Sequence, residues 1–310
     1  MNPIIDVWDN ELLTMIDAMV QWQPLAGGFR FTEGPVWMAS ENALFFSDIP
    51  ADTIFRWEAE EGTIRQFRRS SRKTNGMTRD PKNYLLACEQ VTRRVVQLDR
   101  TGRTSVMADR YHGRRLNSPN DVVVHEDGAI WFTDPDYGLQ SVDDGYPGDP
   151  ELSVRGVYRI DPVTGCIALM VDDFVEPNGL AFSYDGTVLY VSDSDQYHVR
   201  RFRVQETHVV DKGILGVMPS PMGLGPPDGL TVDPKGYIWV AGPGGLWVWA
   251  PDGRALGRVR NPEVVANCEW VPGRPPMVYI TATSSICRIS VTSRTTEDQE
   301  NGCLLEGAKK

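Results

Sequence analysis

The chain has 310 residues, and its 42 acidic residues against 31 Lys and Arg give a net charge of −11. This sign disfavours nonspecific binding to nucleic acid, and no apolar run is long enough to cross a bilayer. With no signal-peptide pattern at its start, the chain is expected to be cytoplasmic, without a nucleic-acid or membrane partner. Five cysteines, an odd number without metal-ligand spacing, are expected to be reduced thiols.

The two ends of the chain differ in character from its centre. Apolar residues between Asp9 and Val20 have a helix-like spacing, which predicts an N-terminal helical extension over residues 1–22 with no catalytic content. Residues 294–310 are polar and poor in aromatic side chains, so we expect a C-terminal tail that frays. The fold is therefore expected to lie in residues 23–293.

One short motif recurs six times along this central part. Each copy begins with a carboxylate or a carboxamide, usually followed by Gly or Asp, and continues into a short apolar run typical of a β-strand. The copies begin at Glu33, Asn75, Asn120, Asn178, Asp228 and Asn267. Their intervals of 42, 45, 58, 50 and 39 residues indicate a repeat architecture.

The clearest copies continue into two apolar runs joined by a turn. Asp127-Gly128, Asp185-Gly186 and Lys235-Gly236 supply the positive φ that a tight hairpin requires. A third and often a fourth strand follow, and three to four antiparallel strands in roughly 40 to 50 residues are typical of a propeller blade. We therefore predict an all-β fold, a six-bladed β-propeller. The last blade is one strand short, and a strand within residues 24–31 is predicted to complete it and close the ring.

Propeller geometry brings the six motif residues together. The first strand of each blade lies beside the central axis, so the residues that begin these strands face each other around one mouth of the channel. Carboxylates that converge in an enclosed site repel each other, and either protons or a cation must compensate them. Oxygen donors without His or Cys favour a hard ion such as Ca²⁺, Mg²⁺ or Mn²⁺, and Zn²⁺ with oxygen ligands remains open.

The loops after the second strands border the same mouth. Glu89, Asp134 and Tyr137 lie in these loops and, with Asn75 from the ring, are expected to contact substrate. Alternatively, Asp134 only caps its loop. The longest insertion, residues 139–155, leaves the same mouth, so we expect a lid that shapes substrate choice.

Several motifs, taken in order, resemble the SMP-30/gluconolactonase family of six-bladed propellers, which includes regucalcin and bacterial sugar lactonases. The resemblance covers about residues 28–291 and depends on Glu33-Gly-Pro-Val-Trp, residues 115–124, residues 131–138, Pro177-Asn-Gly-Leu-Ala and Pro227-Asp-Gly-Leu-Thr. It implies that Glu33, Asn178 and Asp228 hold one divalent metal ion, with Ca²⁺ expected first and Zn²⁺, Mg²⁺ or Mn²⁺ as alternatives. Asp228 would also be the general base, and Asn120 a substrate contact or a fourth ligand.

Such a site suits the hydrolysis of an ester or lactone. The ion polarises the ring carbonyl and activates a water, while Asp228 or a neighbouring carboxylate receives the proton. The expected function is a metal-dependent lactonase acting on a sugar (aldono) lactone or a similar small lactone. Gln90-Val91 stands where a His and a Gly commonly follow the Glu in close lactonases, which leaves the substrate open. The alternatives are a phosphotriesterase or esterase of the same propeller type, or a noncatalytic metal-binding propeller.

Overall fold

The computed structural model describes residues 4–206 and 208–292, and these form six antiparallel sheets arranged radially. The first strand of each sheet packs beside the first strand of the next, and the sixth packs beside the first. This closed ring is the predicted six-bladed β-propeller. No helix in the described ranges has the length and apolar character that crossing a membrane requires.

Each blade has four strands in order from the axis outward, and blade 5 has a fifth strand on its outer edge. Blade 1 contains Thr32–Met38, Ala43–Asp48, Thr53–Glu58 and Thr63–Arg69. Blade 2 contains Thr74–Arg79, Leu85–Glu89, Arg94–Leu98 and Thr104–Ala108. Blade 3 contains Val122–Val124, Ile130–Asp134, Arg155–Ile160 and Ile167–Phe174.

The second half of the ring follows the same plan. Blade 4 contains Pro177–Phe182, Val188–Asp193, His198–Val204 and Val209–Val217. Blade 5 contains Leu230–Val232, Ile238–Gly242, Gly245–Trp249 and Ala255–Arg260. Blade 6 contains Val265–Val271, Met277–Ala282, Ser285–Ser290 and, on its outer edge, Gln23–Gly27. A short hairpin, Arg110–Tyr111 with Arg114–Arg115, joins blades 2 and 3, and short 3-10 helices lie at Tyr137–Leu139 and Ser220–Met222.

The blades form because their strands are bounded by tight turns and buried on both faces. Gly128, Gly186 and Gly236 have φ of 85°, 69° and 88°, as the hairpin turns require. The second strands Ala43–Asp48 and Ile130–Asp134 are buried along their whole length, because each is covered by the neighbouring blade on either side. The hydrophobic core is therefore a series of apolar layers between blades.

The ring is closed by the N-terminal segment, as predicted. Gln23–Gly27 pairs antiparallel with Ser285–Ser290, with Gln23 opposite Arg288 and Gly27 opposite Ser285. Blade 6 thus takes one strand from the start of the chain and three from its end, which leaves no unpaired edge between the first and last blades.

The predicted N-terminal helix is wrong. Ile5–Val7 is instead a fifth strand on blade 5, with Ile5 opposite Val259, and Asn10–Thr14 is one short 3-10 helix. The helix-like spacing arises because Leu12 and its apolar neighbours are buried against blades 5 and 6. The open edge of blade 5 offers backbone partners to the extended chain, so tertiary pairing overrides the local pattern.

Two predictions remain, that of the C-terminal tail and that of reduced cysteines. The predicted tail, residues 294–310, lies outside the described residues and includes Cys303. The four cysteines within the described part, Cys88, Cys166, Cys268 and Cys287, are free thiols.

A pair of substitutions tests whether the N-terminal segment belongs to the core. Leu12 is completely buried, so Leu12→Ala should lower the free energy of unfolding by about 2–5 kcal/mol. Met19, in the same segment, is 62% exposed, and Met19→Ala should change it by less than about 0.5 kcal/mol. Urea unfolding measures both. Equal, small effects would show that the segment does not pack against blades 5 and 6.

Candidate functional site

A cavity of about 250 Å³ lies at one mouth of the channel. Its polar lining includes Glu33, Asn75, Asn120, Tyr137, Asn178 and Asp228. Five of these are motif residues from five different blades, each within or just before a first strand. The structure therefore brings together most of the ring that the repeat predicts.

The sixth motif residue, Asn267, lies deeper in the channel. It lines a separate cavity of about 140 Å³ on the far side of the ring. Its amide Nδ2 donates a hydrogen bond of 3.0 Å to Oε2 of Glu33. Asn267 therefore holds a residue of the mouth and does not line the mouth cavity.

The Gly in the repeated motif is required by the approach of the next blade. A Cβ built on Gly229 would lie 2.0 Å from Cγ of Asn267, and one on Gly34 would lie 2.6 Å from the carbonyl oxygen of Asn75. Any side chain at these positions would push neighbouring blades apart. The Asn-Gly and Asp-Gly pairs thus let the motif residues of adjacent blades come into contact.

Buried hydroxyl groups fix the backbone of the ring. Each lies at or near the end of a second strand and donates to the carbonyl oxygen of the motif residue in the next blade. The pairs are Ser47 to Asn75 at 3.0 Å, Thr133 to Asn178 at 2.7 Å, and Ser192 to Asp228 at 2.8 Å. Since these hydroxyls are shielded from water, their hydrogen bonds hold the positions of the motif residues firmly.

The two motif carboxylates of the cavity, those of Glu33 and Asp228, have little contact with solvent. Glu33 is 3% exposed and Asp228 is 8% exposed. Burial raises the pKa of Glu33 to about 7. Burial first, and then the charges of Glu33 and Asp121, raise the pKa of Asp228 well above its ordinary value. Burial therefore favours the protonated form of both groups, and a positive charge beside them would favour the ionised form.

The oxygen atoms available in this cavity fit a divalent cation. Oε2 of Glu33 accepts from the Gly34 amide at 2.7 Å and from Asn267, which leaves Oε1 available. Oδ1 of Asn75 is buried without a hydrogen-bond partner in the described part of the chain. Two carboxylates with amide oxygens suit a hard ion. Within residues 4–206 and 208–292, no group of three or more His, Cys, Asp or Glu side chains is assembled as a metal cluster.

Asp121 is a third buried acid of the ring that the sequence reasoning missed. It lines the deeper cavity, and its pKa is raised to about 8 by burial and then by the charge of Glu33. Its carboxylate accepts a hydrogen bond from the Val122 amide at 2.9 Å. The available signal was the pair Asn120-Asp121, because four of the other five copies carry Gly at this place.

Two of the expected substrate contacts do not line the cavity. Both oxygens of Glu89 are taken by ion pairs, with Arg68 at 3.0 Å and Arg94 at 2.7 Å. The carboxylate of Asp134 accepts from the backbone amides of Asn117 at 2.7 Å and Ser118 at 2.8 Å. Asp134 therefore caps a loop, as in its structural alternative, and Glu89 stabilises blade 2.

Other loop residues line the cavity where Glu89 and Asp134 were expected. Tyr137 lines the cavity, and Gln90, next to Glu89, lines it as well, while contact of Tyr137 with substrate stays a prediction. The insertion 139–155 contributes Asp144, whose Oδ2 accepts a hydrogen bond of 2.9 Å from Ser141. The insertion thus reaches the cavity, and the unusual Gln90 was the sequence signal for that side of the wall.

The chain is similar to known proteins in sequence and in structure over most of its length. The pentonolactonase of Haloferax volcanii is 28% identical, covering 75% of this chain and 74% of the relative. A solved structure of the Xanthomonas campestris gluconolactonase superposes with a TM-score of 0.88 at 32% identity, covering 94% of this chain and 96% of that one.

A further relative and a family model show which family the chain belongs to. The gluconolactonase of Zymomonas mobilis is 31% identical, covering 89% of this chain and 82% of the relative. The model of the SMP-30/Gluconolactonase/LRE-like region matches residues 31–284, which include all six motif residues. The chain therefore belongs to the SMP-30/gluconolactonase family.

Proposed function

We propose that the protein is a lactonase that hydrolyses a sugar (aldono) lactone, with a divalent cation held by Glu33, Asn178 and Asp228. The observation that carries this proposal is the meeting of two buried carboxylates with amide groups in one cavity at the channel mouth. The relatives named gluconolactonase and pentonolactonase support the substrate class.

The donor set favours a hard cation, and Ca²⁺ is the first candidate. Glu33 would bind through Oε1, Asn178 through its amide oxygen, and Asp228 through its carboxylate, with Asn120 nearby as a further oxygen donor. When bound, a divalent cation polarises the lactone carbonyl and lowers the pKa of a water molecule. Mg²⁺, Mn²⁺ and Zn²⁺ are alternatives that reconstitution distinguishes.

Asp228 is proposed as the general base. Burial raises the pKa of Asp228 in the ion-free protein and so favours its protonated form, whereas a neighbouring positive charge favours the ionised carboxylate. An ionised Asp228 at the cavity surface can accept the proton of the attacking water. The ring hydroxyl of Ser192, which holds the Asp228 carbonyl, limits how far this carboxylate can move.

The walls of the cavity suit a small ring that carries hydroxyl groups. Asn75, Gln90, Asn120 and Tyr137 contribute amide and hydroxyl groups to its polar wall. Its apolar wall is formed by Phe31, Ile49, Pro226 and Val264. The polar wall would hold the substrate hydroxyls and the apolar wall would cover a C–H face of the ring. We propose residues 139–155 as a lid, because Asp144 reaches this cavity.

Removal and return of the metal tests the function directly. Chelator-treated protein should release no acid from a panel of aldonolactones, and addition of Ca²⁺, Mg²⁺, Mn²⁺ or Zn²⁺ should restore turnover with at least one ion. A pH-stat measures acid release. Turnover of phosphotriesters or simple esters alone would change the reaction assigned to the site. Folded protein that is inactive with every ion and substrate class would indicate a noncatalytic propeller.

The base assignment predicts a large loss of kcat at Asp228. Asp228→Asn should lower kcat by about 10²- to 10⁴-fold at saturating metal, because the amide does not accept the proton. Asp233→Asn is the matched control, since Asp233 is also buried in blade 5 but hydrogen-bonds the Tyr237 amide and Trp239 away from the cavity. Steady-state kinetics with metal content measured in parallel separates the two. Full activity of metal-loaded Asp228→Asn would exclude it as the base.

The raised pKa values predict how stability depends on pH. Glu33 has a pKa of about 7 in the folded protein against an ordinary value of 4.5, so the folded state holds a proton that the unfolded chain releases. Stability of the ion-free protein is therefore greatest below about pH 4.5 with respect to this group and falls as pH rises through about 7. Asp228 contributes in the same direction.

Cation binding should reverse this loss, because the ion takes the place of the protons. Unfolding in urea at about pH 5.5 and about pH 8, with chelator or with Ca²⁺, measures the effect. The stability gained from Ca²⁺ should be larger at the higher pH. Glu33→Gln should reduce this pH dependence. An equal gain at both values would contradict the link between the ion and these carboxyl groups.

A further inference from the structure

One buried hydroxyl group, that of Ser194, connects several parts of the candidate site. Ser194 follows the second strand of blade 4 and is 2% exposed. Its Oγ lies 2.7 Å from the carbonyl oxygen of Pro227 and 3.1 Å from Nδ2 of Asn178. Ser194 therefore contacts both Asn178 and Pro227, the residue before Asp228.

The chemistry of these groups fixes the direction of the hydrogen bonds. A peptide carbonyl oxygen only accepts, so the single proton of Ser194 is donated to Pro227. The oxygen of Ser194 is then an acceptor toward Asn178, which requires the amide nitrogen of Asn178 to face it. With its nitrogen facing Ser194, the amide of Asn178 has its oxygen on the other side. Oδ1 is the atom of the amide left for a ligand in the cavity.

We propose that Ser194 is a positioning residue that keeps the amide oxygen of Asn178 available to the cation. This inference rests on the proposed function, because the orientation matters only where Asn178 is a metal ligand. The two ends of a carboxamide have nearly the same shape, so packing alone selects weakly between them. Without the acceptor at Ser194, the amide can turn its nitrogen toward the ion, and one ligand is lost.

The closest structural alternative is that Ser194 only stabilises the loop. Ser47 provides a matched comparison, because its buried hydroxyl also donates to a backbone carbonyl, that of Asn75, at 3.0 Å. Ser47 makes this bond to the backbone of a residue outside the proposed ligand set. Loss of either hydroxyl removes a buried hydrogen bond to a backbone carbonyl, but only loss of Ser194 also removes the acceptor of the Asn178 amide.

The test measures Ca²⁺ affinity by isothermal titration calorimetry on chelator-treated protein, without reference to turnover. Ser194→Ala should raise the Kd for Ca²⁺ by about 10- to 100-fold, as outer-shell substitutions at metal sites do. Ser47→Ala should lower the melting temperature and leave the Kd unchanged. Ser194→Cys keeps a side chain of similar size with a weak acceptor, so it should resemble Ser194→Ala even if the alanine variant folds poorly.

The variant Asn178→Asp separates an effect on the orientation of the Asn178 amide from an effect on general stability. In Asn178→Asp both side-chain oxygens are equivalent, so there is no orientation to lose. Adding Ser194→Ala to Asn178→Asp should therefore change the Kd far less than it does in the parent protein. An equal loss in both backgrounds would overturn the positioning role and assign Ser194 to loop stability.

The outcomes also distinguish this inference from the proposed function. If the parent protein binds Ca²⁺ and hydrolyses lactone, but Ser194→Ala binds Ca²⁺ as tightly as the parent, only the positioning role fails. If the parent binds none of Ca²⁺, Mg²⁺, Mn²⁺ and Zn²⁺, the metal site and the positioning role fail together.

Discussion

Two like charges held away from water, those of Glu33 and Asp228, impose the main constraint on this molecule. Burial raises the pKa of both groups because their ionised forms lose hydration. The Gly34 amide and Asn267 hold Oε2 of Glu33, and its Oε1 stays free for a ligand. Protons compensate these acids in the ion-free protein, and the proposed cation would take their place.

This geometry is maintained between blades more than within them. Asn267 of blade 6 holds Glu33 of blade 1, and Ser192 of blade 4 holds the backbone of Asp228 in blade 5. Gly229 lets blades 5 and 6 approach closely enough for side chains of the ring to meet. A substitution in one blade is therefore expected to disturb a residue of the next, and stability and function share many of the same contacts.

Much of the fold was predictable because the repeated motif is local and each copy shows a polar residue before a strand. The residues that line the cavity wall were harder to predict. Adjacent residues of an extended chain point to opposite sides, so a prediction that is wrong by one position selects a residue that points away from the cavity. Glu89 was predicted to contact substrate, but its neighbour Gln90 lines the cavity. The depth of Asn267 was also hidden, since the motif alone does not show which of the two cavities each copy lines. The N-terminal spacing was misread because burial on two blades imitates a helix pattern.

Blade 6 combines an early strand of the chain with three later ones, and this has a consequence for synthesis of the protein. Gln23–Gly27 emerges from the ribosome early, but its partner strand Ser285–Ser290 is made near the end. Asn267, which holds Glu33, is also made late. A nascent chain that has emerged only through blade 5 lacks both, and its early strand remains without its partner in the ring. Completion of the catalytic geometry therefore requires translation through Ser290, and products that stop before blade 6 lack the finished site.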